Sequence, residues 1–483
     1  MMRPSGAPQI GDIQTDFAHL INGRPVTSGA TFDVINPATG AVFAHCPTAS
    51  EQQLDDAVAA ARRAFPAWSG LSFEERRAHL GRLAGAIREN ADELALLLVK
   101  EQGKTIAECR HELSIVPRQI ERIAAIEVSS EVLRDEPNRR IELRYRPLGV
   151  VGIITPWNVP LGIALGRIAQ ALYTGNTAIQ KPSPYTPLAT LKMGKIAAEI
   201  LPRGVLNIVA GGDELGAWIT AHPGIDKISF TGSVATGKKI VASAASNLKR
   251  VTLELGGNDP AIVLDDVDPK TVARQIYQAA FANCGQICVA IKRLYVHESI
   301  YEAMCDALAE IARSVKIGDG MDDDVEMGPI QNKMQYDRVR GILEDTKNEG
   351  ARILAGGEMP DGPGYFMTPT IVADIEEGTR LVDEEPFGPI LPILKYTDVE
   401  DAIRRANDTR YGLSGSVWTN DLERGAEVAA RLEVGTASVN QHRIPDATVP
   451  FGGAKESGLG REYATLGLKN YMEAQVVNVS PIS

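Results

Sequence analysis

The run Gly149-Val-Val-Gly-Ile-Ile-Thr155 is short, apolar and rich in β-branched residues, and 176–181, Asn-Thr-Ala-Ile-Gln-Lys, repeats that character. Between them, 161–173 has the length and apolar spacing of a helix. A further helix over 188–200 and a strand over 205–210 complete a β-α-β-α-β series, which predicts a parallel sheet with right-handed crossovers and helices on its faces. Strands over 227–231 and 250–255 extend it. A second α/β stretch opens at Pro260-Ala-Ile-Val-Leu264, includes a strand over 293–297 and runs past Tyr463. Gly256-Gly257 stands between the two stretches and is expected to be a hinge, since glycine tolerates backbone conformations other residues avoid. Upstream, Ser50-Glu-Gln-Gln53, Ser72-Phe-Glu-Glu75 and Asn90-Ala-Asp-Glu93 each carry the capping-box spacing, so three helices should begin there. The first places Leu54, Ala57, Val58, Ala61 and Phe65 on one face as core. Ile141-Glu-Leu-Arg-Tyr-Arg146 alternates as a half-buried strand does, and 474–479 is β-forming at the chain end, where an edge invites pairing with another subunit.

A chain of 483 residues, 44% apolar and 23% charged, is long enough for several cores and has the balance of a folded globular protein. The net charge of -12 supplies no basic field for a phosphate backbone, so nucleic acid is not an expected partner. Five irregularly spaced cysteines suit reduced thiols, and neither a CxxC zinc spacing nor HExxH occurs, so no metal is expected. The first thirty residues lack a secretory pattern and no apolar run reaches about twenty residues. A cytoplasmic enzyme without a membrane partner is the expectation.

Three local patterns bear chemistry. Gly232-Ser-Val-Ala-Thr-Gly237-Lys238-Lys239 follows a strand and opens a helix, close to a phosphate-binding loop, yet Lys239 stands where magnesium needs Ser or Thr. What remains is either an ordinary strand-to-helix turn or an anion cradle of backbone N–H groups. Phe281-Ala-Asn-Cys-Gly-Gln-Ile-Cys288 holds two cysteines, and a cysteine is as a rule a small buried hydrophobe. Glu254 lies inside an apolar strand beside a double glycine, where a carboxylate is unfavourable unless it has a task; burial there would raise its pKa toward that of a general base.

Thr155-Pro-Trp-Asn158, Lys181-Pro-Ser183, Phe230-Thr-Gly-Ser233, Glu254-Leu-Gly-Gly257, Gly285-Gln-Ile-Cys288, Glu385-Pro-Phe387-Gly-Pro389 and Pro450-Phe-Gly-Gly453 together resemble, in order and spacing, the motifs of the aldehyde dehydrogenase superfamily. The likeness runs from about Phe17 to the last strand. It implies an α/β fold: a Rossmann-like cofactor domain (1–126 and 147–256), an α/β catalytic domain (257–468) and a small β oligomerisation hairpin (127–146 with 469–483). It also implies a homodimer or homotetramer that oxidises an aldehyde with NAD, NADP being the other option.

By that resemblance Cys288 attacks the aldehyde as thiolate, Asn158 and the Cys288 backbone N–H stabilise the oxyanion, and Glu254 activates the water that hydrolyses the thioester. Cofactor contacts are implied for Thr155, Pro156 and Trp157; for Lys181, which would hold the adenosine ribose, with Ser183 and Pro184; for Gly211; for Phe230, Thr231, Gly232 and Ser233, the last meeting the pyrophosphate; for Leu255; and for Gln335, Glu385 and Phe387 around the nicotinamide ribose and ring. Many NAD-preferring relatives carry a Glu at the position of Pro184, so the cofactor choice is open. Cys284 reads as a packing residue, a disulfide with Cys288 on oxidation being the alternative.

The substrate positions implied are Val159, Gly162, Ile163, Gly166, Ala282, Ile287, Arg443 and Phe451. The small ones leave room for an aldehyde bulkier than acetaldehyde, aromatic or branched; alternatively, Gly162 and Gly166 let a neighbouring helix approach. Arg443 keeps semialdehydes as a second substrate class. Two rival readings are a CoA-acylating relative, which usually lacks the Glu found here at 254, and a non-catalytic protein of the same fold.

Overall fold

Five strands, Val150–Ile154, Thr177–Lys181, Leu206–Ile208, Lys227–Thr231 and Arg250–Glu254, lie parallel in one sheet. A computed structural model of the chain describes residues 17–442 and 446–481. Across the sheet the order runs from Arg250–Glu254 through Lys227–Thr231, Val150–Ile154 and Thr177–Lys181 to Leu206–Ile208. The chain thus starts in the middle, builds outward to one side, then crosses back to build on the other. Strands shielded on both faces by helices can be apolar throughout, which is why they read as β-branched runs rather than alternating ones. The boundaries differ from the expected ones by a residue or two, most at Leu206–Ile208, and Lys227–Thr231 matches in full.

Antiparallel strands close both edges: Gly458–Leu459 beside Arg250–Glu254, and His19–Ile21 with Arg24–Val26 beyond Leu206–Ile208. The chain therefore returns to the first sheet near its end, and Ala447, Tyr463, Leu468 and Tyr471 join that sheet's core. A second sheet of seven strands centres on Asp259–Val263 and Ile291–His297, which are parallel, flanked by Ile390–Tyr396 on one side and Ser414–Trp418 on the other. A third sheet is antiparallel, with Arg139–Pro147 between Glu131–Glu136 and Met472–Val479.

The helices begin where side chains satisfy their first N–H groups. Ser50 with Gln53 and Ser72 with Glu75 form complete capping boxes, as expected, and Thr105 with Glu108 forms a third at the start of Ile106–Ala124. Asn90 does not: its side chain donates backward to the Ala86 carbonyl, so it ends the preceding helix instead of capping Ala91–Gln102. Gly256 and Gly257 also differ from the hinge expectation. Neither has a positive φ. They are glycines because of crowding: a Cβ on Gly256 would sit 2.2 Å from Glu385 Oε2, and one on Gly257 2.9 Å from the Cys288 carbonyl oxygen.

Candidate active site

In an open α/β sheet the crevice lies beyond the carboxyl ends of the strands where the chain reverses its direction of building. Here that point is between Val150–Ile154 and Lys227–Thr231. Thr155 to Asn158 leave the first of these strands and Gly232-Ser233 the second, so two distant motifs meet at one edge by topology alone. Ser233 caps the helix Val234–Ala244, its Oγ accepting from the Thr236 N–H at 3.2 Å. Gly232 is required because a Cβ would lie 2.4 Å from the Phe230 ring. Thr231 Oγ1 accepts from Arg167 at 2.6 Å, and Leu255 packs on Gly237.

Lys181 ends the neighbouring strand with its ammonium buried and, among the described residues, only the Pro182 carbonyl, 3.3 Å away, as acceptor. Burial pulls its pKa down to about 8 against the opposing charge of Asp213. Ser183 Oγ accepts from the Tyr185 N–H, Pro184 is half-buried beside it, and Gly211 abuts Leu215. On the far wall, Phe387 holds a left-handed φ of 50° and meets Trp157 edge to face at 5.3 Å, which leaves Pro156 and Trp157 half-buried at the crevice. Glu385 Oε1 accepts from the Gly257 N–H at 3.2 Å. Gln335 stands one step back: its Nε2 donates to the carbonyls of Pro386 (2.8 Å) and Phe387 (3.0 Å), so it holds the loop that carries the two expected ribose and ring contacts.

Cys288 follows a strained turn. Asn283 and Cys284 adopt left-handed φ values of 51° and 58°, and Gly285 follows at 71°, where a Cβ would lie 2.2 Å from the Gly388 carbonyl oxygen. Such a turn persists only when its surroundings fix it. The Asn283 N–H donates to Glu108 Oε1 (2.7 Å), its Oδ1 accepts from Gln102 (2.9 Å), and its Nδ2 donates to the Asn158 carbonyl (2.9 Å). Asn158 Nδ2 in turn donates to the Gln286 carbonyl at 2.8 Å. Asn158 is therefore tied through Asn283 and Gln286 to the loop that carries Cys288, and one N–H of its amide is left over. Burial pushes the Cys288 thiol up to about 12, with Lys292 opposing and Glu385, Asp259 and Glu254 reinforcing. Cys284 is buried among apolar residues that include Tyr295 and Val339, which supports its packing role.

Glu254 is buried at the end of its strand, and neither carboxylate oxygen has a hydrogen-bond partner among the described residues. Burial holds its pKa well above the usual carboxylate value, with Arg167 opposing. Arg167 is itself buried and ion-paired with Glu462, which also accepts from Gln170 at 2.7 Å.

Ala282 and Ile287 line a cleft of about 280 Å³ with Gln278, Val289, Trp418 and His442. Val159, Gly162 and Ile163 are half-buried around the start of the helix Pro160–Tyr173. Gly166 is buried, and a Cβ there would meet Tyr463 Oη at 2.9 Å and Gln119 Nε2 at 3.1 Å; its space is taken. Phe451 pairs with Glu462 through two backbone hydrogen bonds and packs on the first core. Arg443 lies outside the described residues. Sequence reasoning missed Arg167 and Lys292, whose signal was available: Arg167 is a charge inside an otherwise apolar run, and Lys292 with Arg293 interrupts the apolar run 289–296.

Comparison with known proteins agrees with this geometry. The family profile described as the aldehyde dehydrogenase family matches residues 25–477. Aldehyde dehydrogenase LUC3 of Fusarium sp is 38% identical over 465 residues, spanning 96% of this chain and 98% of that protein. Aminoaldehyde dehydrogenase 1, peroxisomal, of Pisum sativum is 40% identical and spans 92% of this chain and 91% of its own. The NAD+ complex structure of an aldehyde dehydrogenase from Bacillus cereus superposes with a TM-score of 0.95 at 38% identity, over 99% of both chains. With a family profile over nearly its whole length and relatives of this identity and coverage, this chain belongs to the aldehyde dehydrogenase family.

Proposed function

We propose that this NAD(P)-dependent aldehyde dehydrogenase uses the hydrolytic route, with Cys288 as nucleophile and Glu254 as the base for deacylation. The observation that carries the reading is Glu254: a sealed carboxyl with neither oxygen hydrogen-bonded among the described residues has no structural partner to serve, and its raised pKa makes its carboxylate a stronger base than an ordinary one.

Cys288 sulfur adds to the aldehyde carbon, giving a thiohemiacetal whose oxygen takes the spare N–H of Asn158 and the Cys288 backbone N–H. A dinucleotide fits the crevice, since the buried Lys181 ammonium has spare donors there and the helix N-terminus at Ser233 supplies anion-binding backbone N–H groups. When bound, the dinucleotide would supply the acceptor for the hydride that leaves the former carbonyl carbon. Collapse leaves an acyl thioester on Cys288. Glu254 takes a proton from the water that attacks it, and the carboxylic acid leaves with the thiol restored.

Ala282 and Ile287 beside Trp418 support a bulky or aromatic aldehyde, though Gly166 contributes no open space to that reading. The first sheet is read as the cofactor domain, the second as the catalytic domain, and the three-stranded sheet as the oligomerisation element of a homodimer or homotetramer. Exposed Val132, Leu133, Val476 and Val479 on that last sheet support the assignment. Free cysteines support a cytoplasmic enzyme, and no helix among the described residues is long and apolar enough to cross a membrane. The test is absorbance of reduced cofactor over aliphatic, aromatic and acidic aldehydes with NAD and NADP. Cys288→Ala should abolish turnover on all of them, and retained activity would sink the mechanism.

A further inference from the structure

Lys292 is the second residue of the strand Ile291–His297, four residues beyond the nucleophile, and its side chain is only 3% exposed. A buried ammonium is tolerated when its donors are spent on good acceptors. Its Nζ donates to the Cys288 carbonyl at 2.5 Å and lies 3.4 Å from Glu385 Oε1. It therefore spans the nucleophile loop and the loop expected to hold the nicotinamide ribose. The charged groups acting most strongly on the Cys288 sulfur are Lys292, Glu385, Asp259 and Glu254. Three are carboxyls. Asp259 is buried with neither oxygen hydrogen-bonded among the described residues, and His442 Nε2, 3.8 Å from it, donates to the Val289 carbonyl.

We propose that Lys292 is the positioning residue and resident cation of the nucleophile loop: sealed between the Cys288 carbonyl and the Glu385 carboxylate, it fixes the loop and favours loss of the Cys288 proton before any cofactor arrives. The proposal rests on Cys288 being the nucleophile and goes beyond it by naming the group that offsets the surrounding carboxyls. Lys292 touches no reacting atom in this role; it acts through the backbone of Cys288 and through its field.

The experiment is alkylation of Cys288 by iodoacetamide in the full-length enzyme without cofactor, followed by mass spectrometry across about pH 7 to 10, with Cys288→Ala as blank. Removing a cation this close should raise the thiol pKa by about one unit or more. Thiolate falls tenfold per unit while nucleophilicity partly compensates, so Lys292→Met should alkylate at least about threefold more slowly at a given pH. Lys292→Arg should stay within about twofold of wild type, because it keeps the charge. Glu385→Gln removes an opposing carboxyl and should alkylate faster, which tests the field even if the Lys292 variants do not fold. An unslowed Lys292→Met, a Lys292→Arg as slow as Lys292→Met, or a slowed Glu385→Gln would overturn the proposal. None of these readouts requires turnover, so their failure is distinct from an active Cys288→Ala, which would instead remove the nucleophile assignment.

Discussion

Glu254→Gln removes a charge at nearly constant volume and, because neither carboxylate oxygen has a partner, breaks no hydrogen bond. The fold should survive, and the first chemical turnover should too, since addition of Cys288 and hydride loss do not require a base for water. Deacylation should not. General bases contribute about 10²–10⁴ in rate, so steady turnover should fall by that factor, roughly 3–5 kcal/mol of transition-state stabilisation. Rapid mixing should show a burst approaching one reduced cofactor per active site followed by near arrest, and mass spectrometry should find the acyl group on Cys288. Stability carries a second signature. Burial holds Glu254 above its ordinary value of 4.5, so over the pH range from there upward the folded chain keeps a proton that the unfolded chain has lost. The protonated carboxyl's contribution is complete below 4.5 and is lost as pH rises through the folded value. Gln lacks that loss, so the thermal midpoint of Glu254→Gln should gain on wild type as pH rises. Wild-type turnover with no acyl adduct would refute the role in catalysis; a midpoint difference independent of pH would refute the raised pKa.

Cys284→Ala should keep most activity while lowering thermal stability by about 1–2 kcal/mol, since the thiol fills core space; loss of activity with an unchanged midpoint would give it a chemical role. Pro184→Glu should reduce NADP use and spare NAD, because the new carboxylate repels a 2′-phosphate; the comparison fails if wild type already rejects NADP. Gly166→Trp should lower kcat/KM for aldehydes of every size and destabilise by about 3 kcal/mol or more, as even a Cβ lies 2.9 Å from Tyr463 Oη. Selective loss of bulky substrates at unchanged stability would place open tunnel at that position.

What could be read from the sequence was whatever is local or repeated. Hydrophobic runs placed the first sheet because a doubly covered strand must be apolar along its length, and Ser50 and Ser72 marked helix starts because a cap spans three residues. Motif order identified the family and singled out Cys288, Glu254 and Asn158 as its candidate chemical residues. Tertiary structure decided the rest. Asn90 had the right spacing for a cap and used its amide on the previous helix. Gly256 and Gly257 owe their identity to Glu385 and Cys288 pressing on them rather than to their own φ, and Gly166 owes its to Tyr463 and Gln119. Gln335 is spent on the carbonyls of Pro386 and Phe387, and Lys292 on the Cys288 carbonyl and Glu385. Asn90 is fixed by Ala86 four residues back, and Lys292 in part by Cys288 at the same spacing, but the other contacts come from atoms far along the chain. Local periodicity carries no record of such contacts, because they exist only once the two sheets and the loops between them have packed.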